Sequence, residues 1–214
     1  MSVHPSVKLA AIAALTCAAA SSALAGATVQ EQVFRRLWAD HLPDYCLYTQ
    51  LLPDGEYGLF GTPTSKEFGK KYGEATFRHL HHYCFGLEKT YLASQEQEEH
   101  LRIGLYRSAV NEFDYVLDRS PDDFVLKPEI YVNKGSALEI LGLYADAVTA
   151  YTRALEIAPT HVPAYIGLSN CFESLGDKAR ARAIVEAGLR QSPNAESLVA
   201  KREALGASTA VGSN

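Results

Sequence analysis

Residues 128–195 carry one pattern written twice. The first copy reads PEIYVNKGSALEILGLYADAVTAYTRALEIAPTH and the second VPAYIGLSNCFESLGDKARARAIVEAGLRQSPNA, and they align without a gap at a period of 34. Tyr131 then matches Tyr165, Leu138 Phe172, Gly142 Gly176, Ala147 Ala181, Tyr151 Val185, Leu155 Leu189 and Pro159 Pro193. A fixed period of this length constrains the fold more than any other feature. Each unit is too small to bury its own apolar face and must stack on the next, as in a solenoid.

The spacing within each copy predicts two helices. Tyr131, Lys134, Gly135 and Leu138 share one face of the first. Gly142 and Gly176 stand where that helix ends and a left-handed residue is wanted. Ala147, Tyr151 and Ala154 recur at the spacing of a second helix, small where two helices cross and large in the gap between. Pro159 and Pro193 stop it, because proline lacks the N–H that a helix interior needs.

These residues resemble the tetratricopeptide repeat, with its series of large, small, aromatic or Leu, Ala, aromatic, Ala and Pro at fixed offsets. The two copies cover 68 of 214 residues. Lys134 departs from the pattern where Leu is usual; in the second copy Ser169 takes a Gly site and Gly188 an Ala site. The resemblance implies an all-α fold, an α-solenoid of helix-turn-helix repeats. It also implies a groove, lined by the first helix of each unit, that takes a peptide or helix of another protein. By helical spacing Glu129, Val132, Ser136 and Glu139 line it in the first copy, and Ile166, Asn170 and Glu173 in the second. The family's carboxylate-clamp version uses Lys and Asn there, but Val132 and Ile166 stand at the clamp Lys sites. The mixed acidic and apolar lining suits a neutral or basic, partly hydrophobic peptide.

The repeats extend in both directions. Ala109, Phe113, Val116 and Pro121 copy the offsets of Ala147, Tyr151, Ala154 and Pro159, so residues 66–127 read as a divergent pair with longer helices. One long helix is expected within 66–93, most surely from about Glu74. Residues 128–161 and 162–195 are the two clear repeats, 196–205 a capping helix and 206–214 a frayed tail.

The N-terminal third is of another kind. Residues 1–25 resemble a secretory signal peptide: Lys8, an apolar run, and Ala23-Leu24-Ala25 as an A-x-A cleavage site. Cleavage after Ala25 implies an exported chain, periplasmic or secreted, of a bacterial type, without a membrane span. It leaves 19 Lys+Arg against 25 Asp+Glu, a net charge of −6. That balance argues against nucleic acid, which needs a basic face. Residues 28–39 predict a short amphipathic helix capped by Thr28. Residues 40–65 hold Pro43, Pro53, Gly55, Gly58, Gly61 and Pro63 and read as mostly loop. Tyr45, Tyr48, Tyr57 and Phe60 make that loop an aromatic arm that packs against something.

Three cysteines remain after cleavage. Cys171, on a packed helical face opposite Ala137, reads as a small buried residue. Cys46 and Cys84 are left to pair, export placing them in an oxidising compartment. That loop of 38 residues would add about 3–4 kcal/mol in the chain-entropy model.

Chemistry has little support in the motifs. No Gly-rich phosphate loop, G-x-S-x-G or C-x-x-C-H occurs, so no enzyme and no cofactor is expected. Glu112, Asp114 and Asp118 read as a solvated helix face. The alternative to a protein-binding scaffold is a metal-binding or redox-linked accessory protein. It would use the His79–Cys84 region, where His79 and His82 share a helix face, His81 points elsewhere, and His41 or His100 would supply a third ligand.

Overall fold

The structure, a computed structural model, describes residues 40–49 and 61–210. A short 3-10 helix, Asp44–Tyr48, comes first. It is followed by α1 (Pro63–Tyr72), α2 (Glu74–Phe77), α3 (Leu80–Gln95), α4 (Glu99–Arg119), α5 (Lys127–Ile140), α6 (Tyr144–Ile157), α7 (Val162–Ser174), α8 (Lys178–Gln191) and α9 (Glu196–Ala210). Among the described residues there is no strand, and no helix is long and apolar enough to cross a membrane. The segment 1–25, the helix expected over 28–39, and Tyr57 and Phe60 lie outside the described residues.

The two aligned copies fold alike. α5 and α7 each open with proline in the first turn, where a missing N–H costs nothing. Both end through the same reciprocal closure. Gly142 and Gly176 turn left-handed at φ 72° and 79°. Leu143 N–H donates to the Leu138 carbonyl at 2.9 Å and Asp177 N–H to the Phe172 carbonyl at 2.8 Å. These bonds satisfy carbonyls that a helix end leaves orphaned. Asp177 then caps α8, its carboxylate accepting from Arg180 N–H at 2.9 Å.

Aromatic rings hold successive helices together, each over a glycine. Tyr151 of α6 is 2% exposed and lies against Gly135 of α5 and Gly167 of α7. A Cβ on Gly135 would stand 2.8 Å from its ring, and one on Gly167 only 2.1 Å from Cζ. Phe113 of α4 meets Gly86 of α3 in the same way, at 2.3 Å, and Tyr165 of α7 meets Gly188 of α8 at 2.8 Å. The departures from the repeat pattern thus have packing reasons. Gly188 is glycine because Tyr165 occupies the space of a methyl group. Ser169 is fully buried and donates to the Ala181 carbonyl at 3.1 Å, tying α7 to α8. Lys134 reaches back to pair with Asp114 on α4.

The Phe113–Gly86 contact makes α3 and α4 a third unit of the same kind. Aligning Gly86 with Gly135 fixes its register. Between this unit and the next, the Lys127 ammonium is nearly buried and donates to the Ser120 and Pro121 carbonyls at 3.2 and 3.3 Å and to Asp122 at 3.0 Å. It fastens the link between the two units. α9 continues the series, its Leu198 and Leu205 closing a core with Tyr165, Ala181, Val185 and Leu189.

Three expectations need correction. The stretch 66–93, expected to contain one long helix from about Glu74, holds most of α1, then α2 and most of the long α3, because Gly73 takes φ 83° between α1 and α2, and a turn separates α2 from α3. The described residues of 40–65, which are 40–49 and 61–65, are less irregular than the prolines and glycines suggest: Asp44–Tyr48 is helical, and Pro63 opens α1 behind a Thr62 cap that accepts from Ser65 N–H at 3.2 Å. The last helix runs to Ala210 rather than 205.

Replacing Gly167 by Ala should destabilise the fold by about 1–3 kcal/mol, because the new methyl overlaps the Tyr151 ring. Gly104→Ala in α4, where nothing lies within 4 Å of the added Cβ, should stabilise by about 0.5–1 kcal/mol. Urea unfolding of both variants measures the contrast.

Candidate functional site

The first helices of the units, α3, α5, α7 and α9, touch one another in series and form an inner face. The residues expected to line a groove sit on α5 and α7. Val132 packs on the core around Tyr151 and Leu168, and Ile166 on the core around Tyr165 and Val185; both keep part of their surface open. Ser136 is exposed and Asn170 half-buried. Apolar floor thus alternates with short polar side chains.

The acidic residues are held by neighbours rather than loose. Glu129 accepts a hydrogen bond from the Tyr83 hydroxyl at 2.9 Å, and that hydroxyl accepts one from Asn133 at 2.7 Å. Glu139 accepts from the Tyr151 hydroxyl at 3.0 Å. Tyr151 therefore spans the wall: its ring is core and its hydroxyl emerges on the inner face beside Ser136 and Glu139. Burial first, and then the Glu139 charge, push its hydroxyl pKa well above the ordinary tyrosine value, so it remains a donor. Glu173 is paired with Lys201 of α9.

At the first unit the inner face is covered. In the register set by Gly86, Tyr83 and Cys84 stand where α5 has Val132 and Asn133. Both are fully buried. Cys84 faces Cys46 of the 3-10 helix, with Cα atoms 5.6 Å apart, within the span of a disulfide. The neighbouring Tyr45 is 7% exposed and sits against Phe68 and Tyr72 of α1. Tyr48 packs on Phe68, and its carbonyl accepts from Ser65. The described part of the aromatic arm thus closes one end of the face and leaves α5, α7 and α9 open. Cys171 is a free, buried thiol, its pKa pushed up to about 12 chiefly by burial.

The histidines do not converge. His82 donates through Nδ1 to Glu112 at 2.6 Å, and Lys89 holds the same carboxylate. Its ring lies 3.7 Å from that of Tyr115. His81 donates to the Arg78 carbonyl at 2.8 Å. His79 sits near the Tyr115 hydroxyl, and His41 stacks on Tyr91 at 4.2 Å. His100 is exposed beside Glu98. His41 and His100 have other neighbours, Cys84 faces Cys46, and among the described residues no group of three His, Cys, Asp or Glu could hold a metal.

Comparison with known proteins agrees with this geometry. Two profiles described as tetratricopeptide repeat match residues 140–203 and 98–162. Residues 98–203 are tetratricopeptide repeats. The chain is 31% identical over 93 residues to the Protein STIP1 homolog of Dictyostelium discoideum, covering 44% of this chain and 16% of that protein. It is 31% identical over 97 residues to the Hsp70-Hsp90 organizing protein of Triticum aestivum, covering 45% of this chain and 16% of that one. The chain thus spans about one sixth of the length of these relatives. Among solved structures, the first repeat domain of Spaghetti (RPAP3) bound to the HSP90 peptide SRMEEVD is similar, with a TM-score of 0.45, 18% identity, and 60% of this chain and 98% of that one covered. So is the TPR2B domain of yeast Sti1 in complex with an Hsp70 peptide, with a TM-score of 0.43, 20% identity, and 56% and 98% covered.

Residues with a functional bearing that sequence reasoning passed over are Tyr83, Asn133, Gly167 and Lys201. The repeat register could have pointed to Gly167, which stands where α5 has Asn133.

The histidine region also makes a prediction. Burial is the first cause that holds His79 and His81 below the ordinary value of 6.5. Burial raises the Glu112 carboxyl, but hydrogen bonds from Lys89 and His82 outweigh it and leave a net lowering. The unfolded chain therefore binds protons more readily at all three groups: the two histidines lose their contribution as pH falls below about 6.5, and Glu112 loses its own only below its ordinary value of 4.5. Melting temperature should drop between pH 7 and pH 5, with a shallower slope in His81→Gln; differential scanning calorimetry measures both.

Proposed function

We propose that this chain is an exported scaffold that holds a segment of another protein on the inner face of its repeat stack, in the assembly of envelope or secretion machinery. The observation that carries the reading is the open row of Val132, Ser136, Ile166 and Asn170, an apolar floor with hydrogen-bonding side chains between buried anchors. Such a strip matches an extended guest, whose alternate side chains need pockets and whose backbone needs polar partners. The relatives, one of them named Hsp70-Hsp90 organizing protein, support protein binding as the class of function. They do not supply the guest, because Val132 and Ile166 stand where a carboxylate clamp would have lysine. Export rests on residues 1–25, and N-terminal sequencing of the mature protein should begin at Gly26.

A pull-down from envelope extract tests the reading. A chain with Val132→Glu, Glu139→Gln and Asn170→Ala should lose a protein that the unaltered chain captures, while His82→Gln should retain it. Equal capture by the triple variant would remove the inner face from the interaction.

Pairing of Cys46 with Cys84 belongs to the same proposal, since it keeps the arm over the first unit. Denatured mature protein without reductant should titrate one thiol, Cys171. Three thiols would sink the pairing.

A further inference from the structure

The proposal here rests on the reading that the inner face holds a guest segment, and names the chemistry of that guest. Between helices, the described carboxylates Glu112, Asp114 and Glu173 each pair with a cation from a neighbouring helix: His82 with Lys89, Lys134, and Lys201. Glu139 does not. It accepts one neutral hydrogen bond on Oε2, from Tyr151, and among the described residues no Lys, Arg or His forms an ion pair with it.

The repeat explains the difference. Glu173 is the counterpart of Glu139 one period on. Lys201 reaches Glu173 from the next first helix, α9. One period back from Lys201 stands Gly167. No side chain fits there, because a Cβ would lie 2.1 Å from Tyr151 Cζ and 2.5 Å from its hydroxyl oxygen. The same architecture that supplies a lysine to Glu173 thus denies one to Glu139. Tyr151 fills the space, orients the carboxylate and leaves its charge unneutralised. Glu139 stays partly open, one helical turn from exposed Ser136 and two from half-buried Val132, with half-buried Ile166 on the neighbouring helix α7.

We propose that Glu139 seats a Lys or Arg side chain of the guest segment, in the role Lys201 plays at Glu173, with an apolar guest residue on Val132 and Ile166. Glu129 adds a second negative charge on the same helix, about 15 Å away at a rise of 1.5 Å per residue. It too is held by a tyrosine hydroxyl. A charge-assisted bond of this kind, partly screened from water, sets the preference for a cation at about tenfold.

Three fluorescein-labelled peptides test this on the mature chain by anisotropy at low salt. One is a capped nonapeptide with a single Lys between Val and Leu in an Ala/Gly frame; the second has norleucine for Lys; the third has Glu for Lys. The Lys peptide should bind about tenfold more tightly than its norleucine twin, and the Glu peptide more weakly than either. Glu139→Gln should abolish the tenfold difference by weakening the Lys peptide to the level of its twin, while Glu173→Gln leaves the difference in place. Tyr151→Phe, which keeps the ring in the core, should shrink it several-fold and guards against a folding defect in Glu139→Gln. Equal binding of Lys peptide and twin, both lost in Val132→Glu, would overturn the cation seat and leave the groove standing. Tighter binding of the Glu peptide would do the same. If no peptide binds while the chain still captures its envelope protein, the cation seat falls alone; if that capture is also absent, both readings fall.

Discussion

The Tyr151 ring between α5 and α7 is the contact on which the rest depends. Two helices can approach a third closely only if the residues facing it are small, and Gly135 and Gly167 are the two against this ring. The ring then fills the space that three crossing helices would leave empty, among Leu138, Ala147, Ala154, Ala164, Leu168 and Cys171. Close packing of this kind tolerates neither a void nor an added methyl. The same side chain also ends in a hydroxyl, which cannot remain in the core without a partner and finds Glu139 at the inner face. Packing and recognition surface are thereby coupled through one residue. Phe113, at the matching place one unit earlier, fills the gap over Gly86 and has no hydroxyl to offer.

At the first unit the problem of an unfilled inner face is solved by the chain itself. Tyr83 and Cys84 take the positions of Val132 and Asn133, and the 3-10 helix lies over them through Cys46. The Tyr83 hydroxyl passes under this cover to Glu129 and Asn133 of α5, so the covered unit and the open one share a hydrogen-bonded seam. Tyr45 and Tyr48 are aromatic for packing: with Phe68, Tyr72 and Phe77 they form a cluster of rings at 5.3–6.4 Å. Rings bury much area with few torsions to immobilise, which suits a short segment that must hold its place with little regular structure. Ion pairs across neighbouring helices, Asp114 with Lys134 and Glu173 with Lys201, fix the register of the stack at its margins.

Much of this was written in the order of residues. A period of 34 with Gly142, Gly176, Pro159 and Pro193 at matching offsets determines two helices per unit and where each ends, because chain reversal and helix termination are local events set by backbone torsion and a missing N–H. The line of Val132, Ser136, Ile166 and Asn170 follows from helical spacing alone. The break at Gly73 was hidden, since glycine is tolerated inside helices and its left-handed turn is chosen by how Tyr72 and Phe77 pack on either side. What only the tertiary structure decided is which charges meet. Glu139 and Glu173 are equivalent in sequence, yet one finds Lys201 and the other a tyrosine hydroxyl, because that choice is made by side chains from different helices competing for the same volume. Periodicity records the place of a residue in its own helix and carries nothing about the neighbour that reaches it from the next.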